Sequence, residues 1–95
     1  MSFDPDQPYR LSEQVAVRPE PFGALLYHFG TRKLSFLKDK TLLRIVESLG
    51  SQPSAWVAVL AAGVEEDSVE QYLTAIRVLC DSKMVSPADE VMAQT

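Results

Sequence analysis

The stretch that decides the fold is FGALLYHFGTRKLSFL, from Phe22 to Leu37. Its first eight residues, Phe22 to Phe29, are rich in aromatic side chains and long enough for a β-strand. Gly30-Thr31-Arg32 interrupts this pattern, and Lys33 to Leu37 resumes it. The stretch therefore predicts a β-hairpin.

The two faces of this hairpin follow from the two-residue repeat of side chains along a strand. Whether Phe29 lies opposite Arg32 or, across a longer loop, opposite Leu34, the same residues share a face. One face collects Leu25, Tyr27, Phe29, Leu34 and Phe36. The other is mixed and carries Phe22, Ala24, Leu26, His28, Lys33, Ser35 and Leu37. We therefore expect the first face to pack on the core.

One more strand is predicted before the hairpin. Val15 and Val17 alternate with polar neighbours between Glu13 and Arg18. Proline lacks an N–H for the ladder, so Pro19 and Pro21 are expected to end this strand.

Three helices are predicted after the hairpin. Asp39 can cap the first, from Lys40 to Leu49, and Gly50 follows it. The second spans residues 54–62, ahead of Gly63. The third begins among acidic residues 65–67 and carries one apolar stripe. That stripe contains Val69, Tyr72, Leu73, Ile76, Leu79 and Cys80.

Three strands followed by three helices predict an α+β domain that is winged helix-turn-helix-like, with a three-stranded antiparallel sheet. Ninety-five residues suit a single domain. We expect a disordered lead-in over residues 1–8, the domain over 9–87 and a tail over 88–95.

Composition indicates a cytoplasmic protein. The apolar runs are too short to span a bilayer, and Asp4 and Asp6 lie where a secretory leader would need positive charge. The single cysteine, Cys80, cannot form an internal disulfide, which fits a reducing compartment. Its apolar helical neighbours indicate a buried structural thiol.

The residues that enzymes use are not arranged for catalysis. No phosphate loop, metalloprotease helix, paired-cysteine motif or nucleophile elbow occurs. His28 is the only histidine, and we expect it on the outer face of its strand as a surface or interface residue. The acidic residues 65–70 lack calcium-loop spacing. We expect no catalytic site, no metal and no cofactor.

The distribution of charge along the chain bears on whether the partner is a nucleic acid or a protein. Residues 1–44 contain seven basic and five acidic residues, whereas residues 45–95 contain two basic and eight acidic ones. Residues 58–73 resemble a helix-turn-helix, but the second helix would present Glu66, Asp67 and Glu70 to phosphates. The helix-turn-helix pattern makes a winged-helix transcription regulator that binds DNA the alternative function. Because of these carboxylates, we expect no nucleic acid partner.

The strand over residues 33–37 suggests protein recognition instead. It is the last strand in chain order, so one of its edges can pair with an extended peptide beside the third helix. Lys33 and Lys38 can equally serve as guards that prevent such pairing. The apolar stripe of the third helix can likewise be core or groove. A structural subunit that pairs with itself through this edge is a further possibility.

The run from Arg18 to Lys38, RPEPFGALLYHFGTRKLSFLK, resembles the mycofactocin-system peptide chaperones. They are grouped with the pyrroloquinoline-quinone peptide chaperones, which share the precursor-peptide recognition element fold. The resemblance extends over about Tyr9 to Pro87, and its specific part is the block FGALLYHFG.

The resemblance implies a non-catalytic chaperone that binds the leader of a ribosomal precursor peptide. Such a chaperone presents the peptide to a radical S-adenosylmethionine maturase, which carries out the chemistry. In this fold family the leader adds as a strand beside the third strand and against the third helix. The implied peptide-binding residues are Lys33, Leu34, Ser35, Phe36, Leu37, Val69, Tyr72, Leu73, Ile76 and Leu79.

Overall fold

The computed structural model describes residues 3–88 and confirms the predicted α+β fold. The elements are β1 (Tyr9–Leu11), β2 (Val15–Glu20), β3 (Gly23–His28), β4 (Leu34–Leu37), α1 (Lys40–Ser48), a 3₁₀ turn (Leu49–Ser51), α2 (Ala55–Ala61), α3 (Glu66–Asp81) and β5 (Val85–Pro87). Strands β2, β3 and β4 form an antiparallel sheet in that order. Strands β1 and β5 pair with each other in a second, smaller sheet that the sequence does not reveal.

The hairpin has the register of the shorter predicted loop. Tyr27 pairs with Leu34 and Leu25 pairs with Phe36, which corresponds to Phe29 opposite Arg32. Arg32 itself has a positive φ of 62° in this turn. The residues predicted to share a face therefore do share one, except Phe22, which precedes β3 and whose ring lies 6.3 Å from that of Phe36 on the opposite face.

The prediction of which face is buried is wrong. Phe29, Leu34 and Phe36 are each more than half exposed, and Leu25 and Tyr27 are only half-buried. The opposite face packs on the core, through Ala24, Leu26, His28 and Leu37. The reason is that α1 packs against β3 on that side, and fully buried Ala24 leaves room for the helix.

Strand β2 does not end at Pro19, as the sequence suggested, but continues to Glu20. Pro19 pairs with Ala24. Because β2 is an edge strand of this sheet, its outward side needs no partner, and proline is tolerated there.

Side chains cap the first two helices. The Asp39 carboxylate accepts a hydrogen bond from the Thr41 N–H at 2.8 Å, and the Ser54 hydroxyl accepts one from the Val57 N–H at 3.1 Å. Helix α3 begins after Glu65 with two acidic residues in its first turn, where the helix dipole favours them.

The two ends of the described range, residues 3–11 and 85–88, lie close together at the small sheet. Tyr9 pairs with Pro87, and the Phe3 ring stacks on Tyr9 at 5.1 Å. Residues 3–8 thus contact the domain, and Gln7 accepts a hydrogen bond from the Ala55 N–H at 3.1 Å. The division into lead-in, domain and tail stays a prediction, and most of the tail, residues 89–95, lies outside the described residues.

Within residues 3–88, the helices are all too short or too polar to cross a membrane. The cytoplasmic location stays a prediction.

Candidate functional site

Strand β4 forms one edge of the sheet. Along it, the backbone N–H and C=O groups of successive residues point alternately toward β3 and away from the sheet. The His28 N–H donates to the Lys33 carbonyl at 3.0 Å, so even-numbered residues of β3 bond to β4. Hydrogen-bonded pairs alternate along an antiparallel ladder, which places Ser35 in a bonded pair with Leu26. The N–H and C=O groups of Leu34 and Phe36 therefore point away from the sheet.

The β4 side chains divide between the two faces. Leu34 and Phe36 are 56% and 60% exposed on the face that turns away from the core. Leu37 is buried on the opposite face, where Ser35 is half-buried. Lys33, at the start of the predicted binding strand, is exposed and lies just before β4.

Two points of helix α3 lie near the two ends of this strand. In the first half of the helix, the Tyr72 hydroxyl donates a hydrogen bond to the Asp39 carboxylate, just beyond the end of β4. At the other end of the helix, Cys80 and Lys83 line a cavity of about 250 Å³ together with His28, next to the β3–β4 turn. The direction from Tyr72 to Cys80 is therefore opposite to that of β4.

The five α3 residues predicted to bind the peptide differ in burial. Val69, Leu73, Ile76 and Leu79 are buried in the core, and only Tyr72 is half-buried. By helical spacing Ser68 and Ala75, both half-buried, share the Tyr72 flank, and the sequence prediction omitted them. Their small side chains gave no hydrophobic signal. The role of all ten predicted residues in peptide binding stays a prediction.

The Tyr72–Asp39 contact also shifts both groups electrostatically. The Tyr72 hydrogen bond stabilises the carboxylate and lowers the pKa of Asp39, with further hydrogen bonds from Thr41 acting in the same direction. The same bond, with burial, raises the pKa of Tyr72. Asp39 therefore caps α1 and holds α3 through one carboxylate.

His28 is not the surface residue that the sequence suggested. It is 5% exposed, and its Nδ1 accepts hydrogen bonds from the N–H groups of Gly30 and Thr31, both at 3.0 Å. Since Nδ1 is an acceptor, the ring proton of the neutral side chain lies on Nε2. His28 holds the β3–β4 turn in place.

Cys80 is half-buried, and burial raises the pKa of its thiol to about 11, with a smaller contribution from Asp81. The thiolate is the nucleophilic form, so this cysteine stays largely unreactive near neutral pH. In the described part of the chain, no three His, Cys, Asp or Glu side chains cluster closely enough to hold a metal ion.

The other side of the sheet carries an exposed apolar surface, here called the outer apolar face. Phe22 lies 6.3 Å from Phe36 between ring centroids, and Tyr27 lies 5.3 Å from Phe29 in an edge-to-face arrangement. Single exposed apolar residues are common, but a contiguous group marks an interaction surface. The outer apolar face consists of Phe22, Leu25, Tyr27, Phe29, Leu34 and Phe36.

Known proteins are similar in sequence to this chain over nearly its whole length. The peptide chaperone MftB family model matches residues 8–86. The peptide chaperone MftB of Mycolicibacterium smegmatis is 57% identical over 94% of this chain and 87% of its own length. That of Mycobacterium tuberculosis is 56% identical over 90% and 78% respectively.

One solved structure shares the fold. It is the crystal structure of E. coli MccB with succinimide, with a TM-score of 0.55 and 18% identity. The superposition covers 86% of this chain and 24% of the MccB chain, so the likeness concerns a part of that protein.

Proposed function

Because this chain belongs to the peptide chaperone MftB family, we propose that it binds the leader of a ribosomal precursor peptide by strand addition to β4. It then presents the peptide to a radical S-adenosylmethionine maturase in mycofactocin biosynthesis. The chaperone role follows from the family. Among residues 3–88 no strand pairs with the outer edge of β4, and this open edge is the observation that supports the mode of binding.

An added strand finds donors and acceptors on that edge. The backbone groups of Leu34 and Phe36 point outward and match the spacing of an antiparallel partner. Backbone pairing of this kind supplies affinity, while pockets for alternate side chains supply specificity.

The side chains of the added strand alternate between two environments. Those that point to the core side lie on the side of the sheet where Tyr72 of α3 donates a hydrogen bond to Asp39, just beyond the end of β4. Those that point to the other side lie beside Leu34 and Phe36 on the outer apolar face. Apolar residues at alternate positions of the leader would fill one of these environments, and apolar residues at successive positions would fill both.

The same geometry disfavours DNA binding. Glu66, Asp67 and Glu70 are exposed in the first turns of α3, the helix that would follow the turn of a helix-turn-helix. Carboxylates at that position repel phosphates, which supply most of the affinity in DNA complexes. We likewise propose that the protein is not an enzyme, since Cys80 and His28 are held in structural roles.

Proline substitution separates the open edge from the paired side. Leu34→Pro removes an outward N–H and leaves the bonds to β3, so we expect leader affinity to fall about tenfold or more with little loss of stability. Leu34→Ala is the matched control, because it shortens the side chain and keeps the N–H. Ser35→Pro would instead break a bond to β3 and destabilise the hairpin. Calorimetric titration with the leader peptide and thermal unfolding measure the two effects.

Amide chemical shifts locate the bound peptide. Addition of the leader should shift the resonances of residues 33–37 and of the Tyr72 flank of α3. The proposal fails if wild-type protein gives neither heat nor shifts at micromolar leader concentrations. Equal affinity of Leu34→Pro and Leu34→Ala would exclude the β4 edge as the site.

A further inference from the structure

A second surface of this protein lacks a partner in the proposed function. The outer apolar face places Phe29, Leu34 and Phe36 in solvent, each with more than half of its surface exposed. Neither the core nor a strand added at the edge of β4 would cover Phe22, Tyr27 and Phe29. Burying a group of aromatic rings releases about 25 cal/mol per Å² of apolar surface, so this face favours a protein partner.

Basic residues lie along the β4 side of this face. Arg32 and Lys38 are exposed at its β4 side, and neither forms an ion pair with a residue among 3–88. Arg18, on the β2 side, lies 2.9 Å from Glu20 and is neutralised by it. The rim is therefore positive, and the complementary surface is apolar at its centre and acidic around it.

This charge distribution disfavours a second copy of the chain as the occupant. A two-fold dimer brings the same patch of both copies together. It would place one basic rim near the other, with Arg32 and Lys38 repeated on both sides. A different folded protein with acidic residues around an apolar patch meets no such repulsion.

We infer that the outer apolar face is the docking surface for the maturase, which rests on the proposed function. The face is continuous with the peptide edge, because Leu34 and Phe36 expose side chains on the face and backbone groups at the edge. A peptide strand on β4 would add its own outward side chains to the same face. The maturase would thus contact the chaperone and the peptide on one composite surface and bind the loaded chaperone more tightly.

Two sets of variants test the docking surface. Phe29→Ser and Phe22→Ser remove rings from the face and leave the sequence of β4 unchanged, and we expect about tenfold weaker binding of the radical S-adenosylmethionine maturase. Leu60→Ser, an exposed apolar residue of α2, is the control and should leave maturase binding unchanged. The double variant Arg32→Glu with Lys38→Glu keeps the apolar centre but reverses the charge of the rim. It should weaken maturase binding and also reduce the dependence of that binding on salt concentration. The charge variant keeps the test valid if a ring variant misfolds.

The readouts are the dissociation constants of the full-length chaperone for the leader peptide and, separately, for the maturase. Weaker maturase binding with unchanged leader binding supports the inference. Unchanged maturase binding in both sets, with leader binding intact, overturns the inference and leaves the proposed function standing. Failure of wild-type protein to bind the leader overturns the proposed function itself. Light scattering that shows oligomers of the chaperone lost in Phe29→Ser would assign the face to a second copy and overturn the inference.

Discussion

The two faces of the β3–β4 hairpin are buried in the opposite order from the one that their composition suggests. The outer face carries four aromatic rings and two leucines and is largely exposed. The inner face is built from small and aliphatic residues and one histidine, yet Ala24 and Leu26 are completely buried. The aromatic residues are therefore on the face that this domain exposes, whereas small side chains mark where a helix packs.

The largest expected difference between the faces is in stability. Leu26→Ala leaves a cavity under α1 and should lower the free energy of unfolding by about 2–5 kcal/mol. Leu34→Ala, the same change on the outer face, should cost less than about 0.5 kcal/mol because the side chain is already in water. Urea unfolding of both variants measures the contrast. Similar losses would mean that the outer face is covered in solution.

A smaller loss is expected where the inner face comes closest to the backbone. Gly23 has a φ of 152°, and a Cβ there would collide with the Leu37 carbonyl oxygen and lie 2.9 Å from the Asp39 amide nitrogen. We expect Gly23→Ala to cost about 2–3 kcal/mol in unfolding free energy. Gly63→Ala is the matched control, with a positive φ of 84° and open space, and should cost about 1 kcal/mol. Equal losses would show that strain in φ, rather than the collision, decides the effect.

The smallest effect concerns the bond that joins the inner side to α3. Tyr72→Phe removes the hydrogen bond to Asp39 and should cost about 1 kcal/mol at pH 7, since the site is partly exposed. The pKa of Asp39 is lowered in the folded state, so its contribution is present above the unfolded pKa of 3.8 and is lost as pH falls through the folded pKa. The pKa of Tyr72 is raised, so its contribution is present below 10 and is lost as pH rises through the folded pKa. Unfolding of both proteins across pH 2–7 should converge at the acidic end; a constant difference would contradict the assignment.

Much of the fold could be predicted from local patterns. The alternation around Tyr27 and Leu34 predicted the hairpin and which of its residues share a face but left two registers open, and Asp39 marked the start of α1. The alternation could not show which face is buried, because that depends on where α1 packs. The β1–β5 pair escaped prediction because its strands have three residues each and lie more than seventy residues apart in the chain.

The candidate site was predictable only in part. The open edge of β4 followed from strand order, and the α3 stripe was visible as a pattern. The stripe could not be divided into core and groove from sequence, since Leu73 and Tyr72 differ by one position and only packing separates them. The Tyr72–Asp39 bond joins residues 33 positions apart and has no local signature.

Pro19 has a consequence for valency. On β2, the backbone amides that face away from β3 are those of residues 15, 17 and 19. The Val15 N–H already donates a hydrogen bond to the Ser12 carbonyl at 3.1 Å, and Pro19 has no N–H. Among residues 3–88, this edge of the sheet thus offers a single donor, that of Val17, which is too few to template a strand. A sheet with one open and one blocked edge accepts one strand per molecule, so the expected stoichiometry with a leader peptide is one to one. The same blocked edge disfavours edge-to-edge stacking of sheets into fibres.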